Sequence, residues 1–179
     1  MRLFLAIDLP QETRRQLESV ISSAKKLGLQ ASFTQTGQLH ITLLFLGEKN
    51  EAEKDEIVRK LSALEFPKFR IAIKGTGFFP SARYAKVFWA GAQDEYSQIS
   101  ALYLRACEAL GTRPERGFSG HVTLCRLKTP ENLEALQQLD RAMQETQFGE
   151  FTAASIVLKK SALTPAGAVY EDLNTFPLK

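Results

Sequence analysis

The sequence has few of the residues that would define a disulfide-rich, strongly basic or membrane-spanning protein. It contains only two cysteines, Cys107 and Cys125, and therefore offers no disulfide framework. Its net charge is only +3, which excludes the broad basic surface of proteins that grip duplex DNA and leaves room for a local basic patch at most. No apolar run approaches the ~18 residues that a membrane span requires.

The N-terminus also lacks the features of a secretory signal. The apolar run Leu3–Ile7 is short, Asp8 follows it at once, and no small-residue cleavage site comes after it. We therefore expect a cytoplasmic protein.

The length of 179 residues, with 44% hydrophobic and 24% charged residues, is typical of one globular unit. We expect residues 1–179 to form a single domain.

The spacing of apolar residues changes several times between strand and helix periods. Strands are predicted over 3–7, 39–46, 69–73, 84–90, 121–127, 151–163 and 169–173, the last two around Pro165 and Gly167. Helices are predicted over 9–28, 51–64, 96–110 and 130–146. A helix, a loop and an apolar strand ending at Leu46 recur in a second unit ending at Leu127, and each strand precedes another helix. This weak repeat predicts an α+β fold with two similar lobes.

Histidine occurs only twice, and both copies begin the same tetrapeptide pattern. His40 begins His-Ile-Thr-Leu and His121 begins His-Val-Thr-Leu. Side chains alternate between the two faces of a strand, so each histidine shares a face with the threonine two positions later. The aliphatic residues between and after them point into the opposite layer. Two such strands in facing lobes would bring two imidazoles and two hydroxyls into one cleft.

This set of groups suits the hydrolysis of a phosphodiester. Imidazole has a pKa of about 6.5, so one ring can be neutral while the other is protonated near neutral pH. The neutral ring would deprotonate water, and the protonated ring would deliver a proton to the departing ribose oxygen. The hydroxyls of Thr42 and Thr123 would donate hydrogen bonds to the non-bridging oxygens. The scheme requires no metal ion and no cofactor.

Two alternative roles for the histidines stay open at this level. A single histidine beside apolar residues is more often structural than catalytic, and two histidines with two cysteines could bind zinc. The zinc role is disfavoured because Cys107 lies in a predicted helix and the sequence has no Cys-x-x-Cys pair. The residues alone do not decide which imidazole is the acid and which is the base.

The two motifs and their surroundings resemble the 2H phosphoesterase superfamily. The resemblance is closest to its RNA 2′,3′-cyclic phosphodiesterases, once called 2′-5′ RNA ligases. Besides the motifs themselves, the segments that resemble this family are Arg2–Pro10, Leu39–Glu48 and His121–Arg126, and the resemblance covers essentially the whole chain. The chain departs from the family at Phe33, the nearest aromatic residue where relatives often carry tryptophan, and at Gln38, where they often carry asparagine.

The resemblance implies a bilobal α+β fold, with two similar β-sheet lobes and outer helices around a central cleft. It implies hydrolysis of an RNA 2′,3′-cyclic phosphate to a 2′-phosphomonoester, with His40 as proton donor and His121 as proton acceptor. It also implies that Arg126 binds the phosphate. Strict alternation points Arg126 away from His121, so this role requires that the strand ends or bulges near Cys125.

The expected partner is RNA with a 2′,3′-cyclic phosphate end, including tRNA fragments, and we expect a monomer with no membrane association. Small cyclic nucleotide phosphates and 2′-5′ oligonucleotides are alternative substrates, because the reacting atoms are alike. A non-catalytic binder of RNA ends is a third alternative, although all four histidine and threonine positions are filled. The reverse reaction would give 2′-5′ RNA ligation, but water should dominate as the nucleophile.

Overall fold

A computed structural model describes residues 1–164 and 167–179, so Pro165, around which the last two strands are predicted, lies outside the described residues. The strands are β1 (Arg2–Asp8), β2 (Ala31–Phe33), β3 (His40–Glu48), β4 (Phe69–Phe79), β5 (Val87–Gln93), β6 (His121–Leu127), β7 (Gln147–Ala153), β8 (Ser155–Thr164) and β9 (Gly167–Pro177). The helices are α1 (Gln11–Lys25), α2 (Glu51–Ser62), α3 (Gln98–Leu110) and α4 (Leu133–Met143), and a 3₁₀ turn (Thr36–Gln38) precedes β3. None of the described helices is long and apolar enough to cross a lipid bilayer.

The strands form two antiparallel lobes that meet at the two histidine strands. The first lobe has the order β9-β8-β1-β3, and the second has the order β6-β5-β4-β7. Strand β3 pairs with β6 at Ile41 and Val122, and the short strand β2 crosses from the first half of the chain to pair with β6. The expectation of an α+β fold with two similar sheet lobes and outer helices is confirmed.

A β-bulge in β3 changes which of its residues face the cleft. Thr42 pairs with Ala6 of β1, but the next paired residue is Leu44, so Leu43 is an extra residue in the ladder. An extra residue reverses the alternation that follows it. Leu43 and Leu44 are accordingly both buried, and Phe45 emerges on the face that carries the histidine.

A matching bulge lies in β6. Thr123 pairs with Trp89 of β5 and Cys125 with the preceding Phe88, so Leu124 is the extra residue. Two buried residues in succession again reverse the alternation, and Arg126 is exposed on the histidine face of the strand. This bulge meets the condition that the sequence set for Arg126. The residue five positions after each histidine therefore faces the cleft.

The core lies between the sheet and the helices, and the helices begin and end for local reasons. Helix α1 buries an apolar stripe that consists of Leu17, Val20, Ile21 and Ala24. Helix α2 begins with a capping box in which Asn50 and Glu53 each accept a hydrogen bond from the other's backbone N–H. Helix α3 ends at Gly111, whose φ of 65° is the left-handed conformation that glycine adopts readily.

Several predicted element boundaries are wrong. The predicted strand 151–163 is two strands, because β7 pairs with β4 in the second lobe while β8 pairs with β1 in the first. The predicted helix 130–146 is shorter at both ends. It begins after Asn132, whose φ is 58°, and it ends before β7. The predicted strand 84–90 begins later, at Val87, because residues 81–84 form a turn.

Gly77 of β4 leaves the space into which the side chain of Trp89 fits. The two residues are cross-strand partners, and a Cβ atom at Gly77 would overlap the indole ring. We expect Gly77→Ala to lower the free energy of unfolding by about 1–3 kcal/mol, the usual cost of overpacking a well-filled site. Gly37→Ala is the matched control, because a Cβ atom there meets nothing within 4 Å. Urea unfolding of both variants measures the difference, and equal stabilities would contradict the close fit.

Candidate active site

A cavity of about 260 Å³ opens between the lobes, beside the junction of β3 and β6. His40 and Thr42 line it from β3, and Thr123 and Arg126 line it from β6. The remaining lining residues are Arg2, Phe4, Thr34, Gln38, Phe45, Ser161 and Tyr170. Four of the five residues that the sequence singled out thus meet at one cavity, although one pair lies some eighty positions after the other in the chain.

His121 adjoins this cavity and is not part of its described lining. The pairing of Ile41 with Val122 makes Thr42 and His121 neighbours across the two strands, and both lie on the cleft side because the paired residues are fully buried. The imidazole of His121 meets the ring of Phe79 edge-on, with centroids 4.8 Å apart. Phe79, which belongs to the same lobe as His121, therefore packs against this histidine beside the cavity.

The two imidazoles are oriented by the same device. His40 Nδ1 lies 2.7 Å from the carbonyl oxygen of Gln38, and His121 Nδ1 lies 2.8 Å from that of Ser119. A carbonyl only accepts hydrogen bonds, so each ring donates its Nδ1–H there and keeps Nε2 for proton exchange. His40 Nε2 is 3.0 Å from the hydroxyl of Thr42, which donates to it while the ring is neutral.

Burial lowers the pKa of both histidines below the usual value of 6.5. The backbone carbonyls of Gln38 and Ser119 oppose this effect by stabilising the charged rings, and the guanidinium of Arg126 lowers the pKa of His121 further. Burial therefore favours the neutral form of both rings in the free protein. A negative charge brought close to either ring would raise its pKa and favour the protonated form.

An ion-pair network supports His40 from the side away from β6. Lys159 of β8 is almost completely buried and pairs with Asp172 and, at 3.0 Å, with Asp8, which is the register partner of His40. Arg14 lies 3.6 Å from Asp8 and donates a hydrogen bond to the carbonyl of Gly37. The network thereby fixes the 3₁₀ turn whose last residue, Gln38, orients the imidazole.

Aromatic rings form the apolar wall of the cavity, and sequence reasoning missed most of them. The ring of Phe4 lies 5.1 Å from that of His40, and Tyr170 of β9 approaches the same imidazole edge-on at 5.2 Å. Phe45 is 63% exposed beside them. Its position five residues after the histidine, which matches that of Arg126, is a signal that could have identified it. No local sequence feature indicated that Tyr170 would line the cavity.

The cysteines do not take part in the cleft. Cys107 and Cys125 are both buried in the core, and burial raises the pKa of the Cys125 thiol to about 11. Within residues 1–164 and 167–179, no three His, Cys, Asp or Glu side chains are grouped so that they could hold a metal ion. The two-histidine, two-cysteine zinc site considered from the sequence therefore has no geometric support in this part of the chain.

Two sheet lobes that meet at a pair of His-x-Thr strands, one from each lobe, have the architecture of a 2H phosphoesterase. The family model described as LigT-like phosphoesterase matches residues 7–89 and 90–170, one match for each histidine motif. The chain belongs to this family.

Named relatives and solved structures agree with this assignment. The chain is 32% identical to an RNA 2′,3′-cyclic phosphodiesterase of Methanothermobacter thermautotrophicus, over 99% of each chain. It is 33% identical to one of Archaeoglobus fulgidus, over 98% of this chain and 99% of the other. A solved protein of Thermus thermophilus superposes with a TM-score of 0.81 at 30% identity, covering 99% and 98% of the chains. Apo LigT of E. coli, at 22% identity, shares the fold with a TM-score of 0.78 over 99% and 96%.

The lowered pKa values of the histidines predict a distinct pH dependence. NMR titration of the free protein should give both imidazoles midpoints below 6.5, and a bound nucleoside 2′-phosphate should raise them. If the two rings act as an acid and a base, one must be charged while the other is neutral, so kcat/KM should peak below pH 6.5, between the two macroscopic values. The kcat profile should lie at higher pH. Midpoints above 6.5 in the free protein would contradict the role of burial.

Proposed function

We propose that this protein hydrolyses the 2′,3′-cyclic phosphate ends of RNA to 2′-phosphomonoesters by metal-independent acid–base catalysis. The observation that carries the proposal is the meeting of His40, Thr42, Thr123 and Arg126 at one cavity, with His121 beside it. Relatives over 30% identical across nearly the whole chain are named for this activity, which supports both the reaction and the RNA substrate.

In this mechanism the cyclic phosphate binds between the two histidine strands. The hydroxyls of Thr42 and Thr123 and the guanidinium of Arg126 donate hydrogen bonds to its non-bridging oxygens, where negative charge grows in the transition state. Because Thr42 contacts His40 Nε2 in the free protein, its hydroxyl turns to the phosphate when substrate arrives.

The proton transfers follow the roles that the family pattern gives to the two histidines. His121 Nε2 takes a proton from water as the water oxygen attacks phosphorus. His40 Nε2–H gives a proton to the 3′ oxygen as its bond to phosphorus breaks, which leaves the phosphate on the 2′ oxygen. Each imidazole ends in the protonation state in which the other began, so proton exchange with solvent restores the site. Neither transfer requires a metal ion.

The site combines groups from both lobes, and this supports two further proposals. Residues 1–179 act as one domain, because the two histidines belong to different lobes. The protein acts as a monomer, because one chain supplies every proposed catalytic and phosphate-binding group, and size-exclusion chromatography with light scattering tests this. Action on tRNA fragments, a cytoplasmic location and reverse 2′-5′ ligation remain predictions from the sequence.

The product of a defined RNA oligomer tests the proposed reaction. An oligomer with a 2′,3′-cyclic phosphate end should give only the 2′-phosphomonoester, identified by its resistance to an enzyme that requires a free 2′-hydroxyl and by ³¹P NMR. The rate should be unchanged in EDTA, because the imidazoles perform both proton transfers. A 3′-phosphate product, or activity lost in EDTA and restored by zinc or magnesium, would overturn the mechanism.

Substitution of the histidines tests their division of roles. His40→Ala and His121→Ala should each lower the rate at least ~100-fold, the low end for loss of general acid or base catalysis. Both proteins should stay folded by circular dichroism, because neither imidazole is in the core. A substrate with a much better leaving group needs little protonation, so it should rescue His40→Ala more than His121→Ala. Preferential rescue of His121→Ala would mean that the roles are reversed.

A further inference from the structure

A second cavity, of about 570 Å³, continues from the first along the edge formed by β2 and the end of β6. The two cavities share Thr34, Gln38, Arg126 and Tyr170 in their linings. The two cavities are therefore adjacent, and a ligand anchored in the first can reach the second past these shared side chains. Arg126 stands at the boundary between them.

The second cavity has the charge that a nucleic-acid backbone requires. Its two charged residues, among those described, are Arg126 and Lys128, and no carboxylate contributes to its described lining. The rest of the lining consists of small, amide and hydroxyl side chains with the rings of Phe33 and Tyr170. Cations without neighbouring carboxylates attract phosphates, and amides and hydroxyls suit the ribose hydroxyls between them.

The spacing of the two cations is set by the strand. Arg126 pairs with Ser32 of β2, and the backbone N–H of Lys128 donates to the carbonyl of Gln30, so the ladder continues past the end of β6. Residues two apart on a strand share a face and lie about 6.6 Å apart along it. This separation is comparable with that between successive phosphates of an unstacked single strand.

The opposite side of the active site does not offer such a path. A third cavity, of about 360 Å³, also reaches His40, and its lining contains Arg14 and Lys159. Both of these cations are already paired with carboxylates, Asp8 and Asp172, which line the same cavity. A phosphate there would meet two carboxylates as well as two cations. The electrostatics favour the route along β2 and β6.

We propose that the second cavity binds the phosphodiester on the 5′ side of the terminal nucleotide, so that the preferred substrate is an RNA chain and not a mononucleotide. This inference rests on the proposed function, because it places the cyclic phosphate in the first cavity. Arg126 contacts the terminal phosphate and Lys128 the next one along the chain. The chain leaves the active site over β2.

The test compares two substrates that end in the same nucleoside 2′,3′-cyclic phosphate, a mononucleotide and a tetranucleotide. The wild-type protein should have the higher kcat/KM for the tetranucleotide. The logarithm of that kcat/KM should also fall more steeply with the logarithm of salt concentration, by about 0.7 for each additional phosphate contact.

Variants of Lys128 separate the second cavity from the catalytic groups. Lys128→Ala should lower kcat/KM for the tetranucleotide about five- to tenfold and reduce its salt slope by about 0.7, with the mononucleotide changed less than twofold. Lys128→Arg keeps the charge and should retain most of the preference. Lys68→Ala is the control, because Lys68 is exposed in the loop before β4 and lines neither cavity.

The outcomes distinguish this inference from the proposed function. If both substrates are hydrolysed with equal kcat/KM and equal salt slopes, or if Lys128→Ala impairs both alike, the inference is overturned and the proposed function stands. If the wild-type protein hydrolyses neither substrate, the proposed function fails and the inference fails with it. A loss confined to the tetranucleotide and to Lys128→Ala supports the second cavity as a binding site for the RNA chain.

Discussion

The pairing of Ile41 with Val122 joins the two lobes, and the geometry of the cleft depends on it. Both side chains are completely buried, so burial of apolar surface fixes the register of β3 against β6. A slip of one residue would turn both histidines into the core and expose two aliphatic side chains, because side chains alternate along a strand. The hydrophobic effect that stabilises the junction therefore also positions the two imidazoles.

The histidines are held by backbone carbonyls and not by carboxylates, and this choice affects their charge. A carbonyl orients an imidazole as well as a carboxylate does, but it adds no negative charge to stabilise the imidazolium. Burial consequently dominates, and the pKa of each ring is lowered. Under the proposed function, the anionic substrate supplies the missing negative charge. The acid form of the site is then favoured only when there is a phosphate to act upon.

The sequence predicted what depends on local patterns. Strand alternation placed His40 with Thr42 and His121 with Thr123, and helical spacing located all four α-helices, although not their bounds. The bulges could not be located, because each one is defined by the register against a strand distant in sequence, β1 or β5. For the same reason, the sequence could say only that Arg126 would face the cavity if the strand ended or bulged near Cys125. The placement of individual catalytic and phosphate-binding roles is likewise beyond what periodicity reveals.

The missed elements share a non-local cause. Strand β7 contains Gly149 and only short apolar stretches, and it forms because β4 offers an open edge. Tyr170 reaches the cavity because β9 packs against β8, which in turn packs against β1. No feature of the segment around Tyr170 predicts that these strand pairings place the residue at the cavity.

The matching bulges create a site that is almost symmetric, and the residue that follows each bulge breaks the symmetry. One strand presents the phenyl ring of Phe45 and the other the guanidinium of Arg126, at corresponding positions. Under the proposed function, this difference helps to distinguish the two imidazoles, which sit at matching positions of their strands. An apolar ring at one position and a cation at the other give the cleft a polarity. Two chemically identical imidazoles thus have different residues five positions along their strands, one aromatic and one cationic.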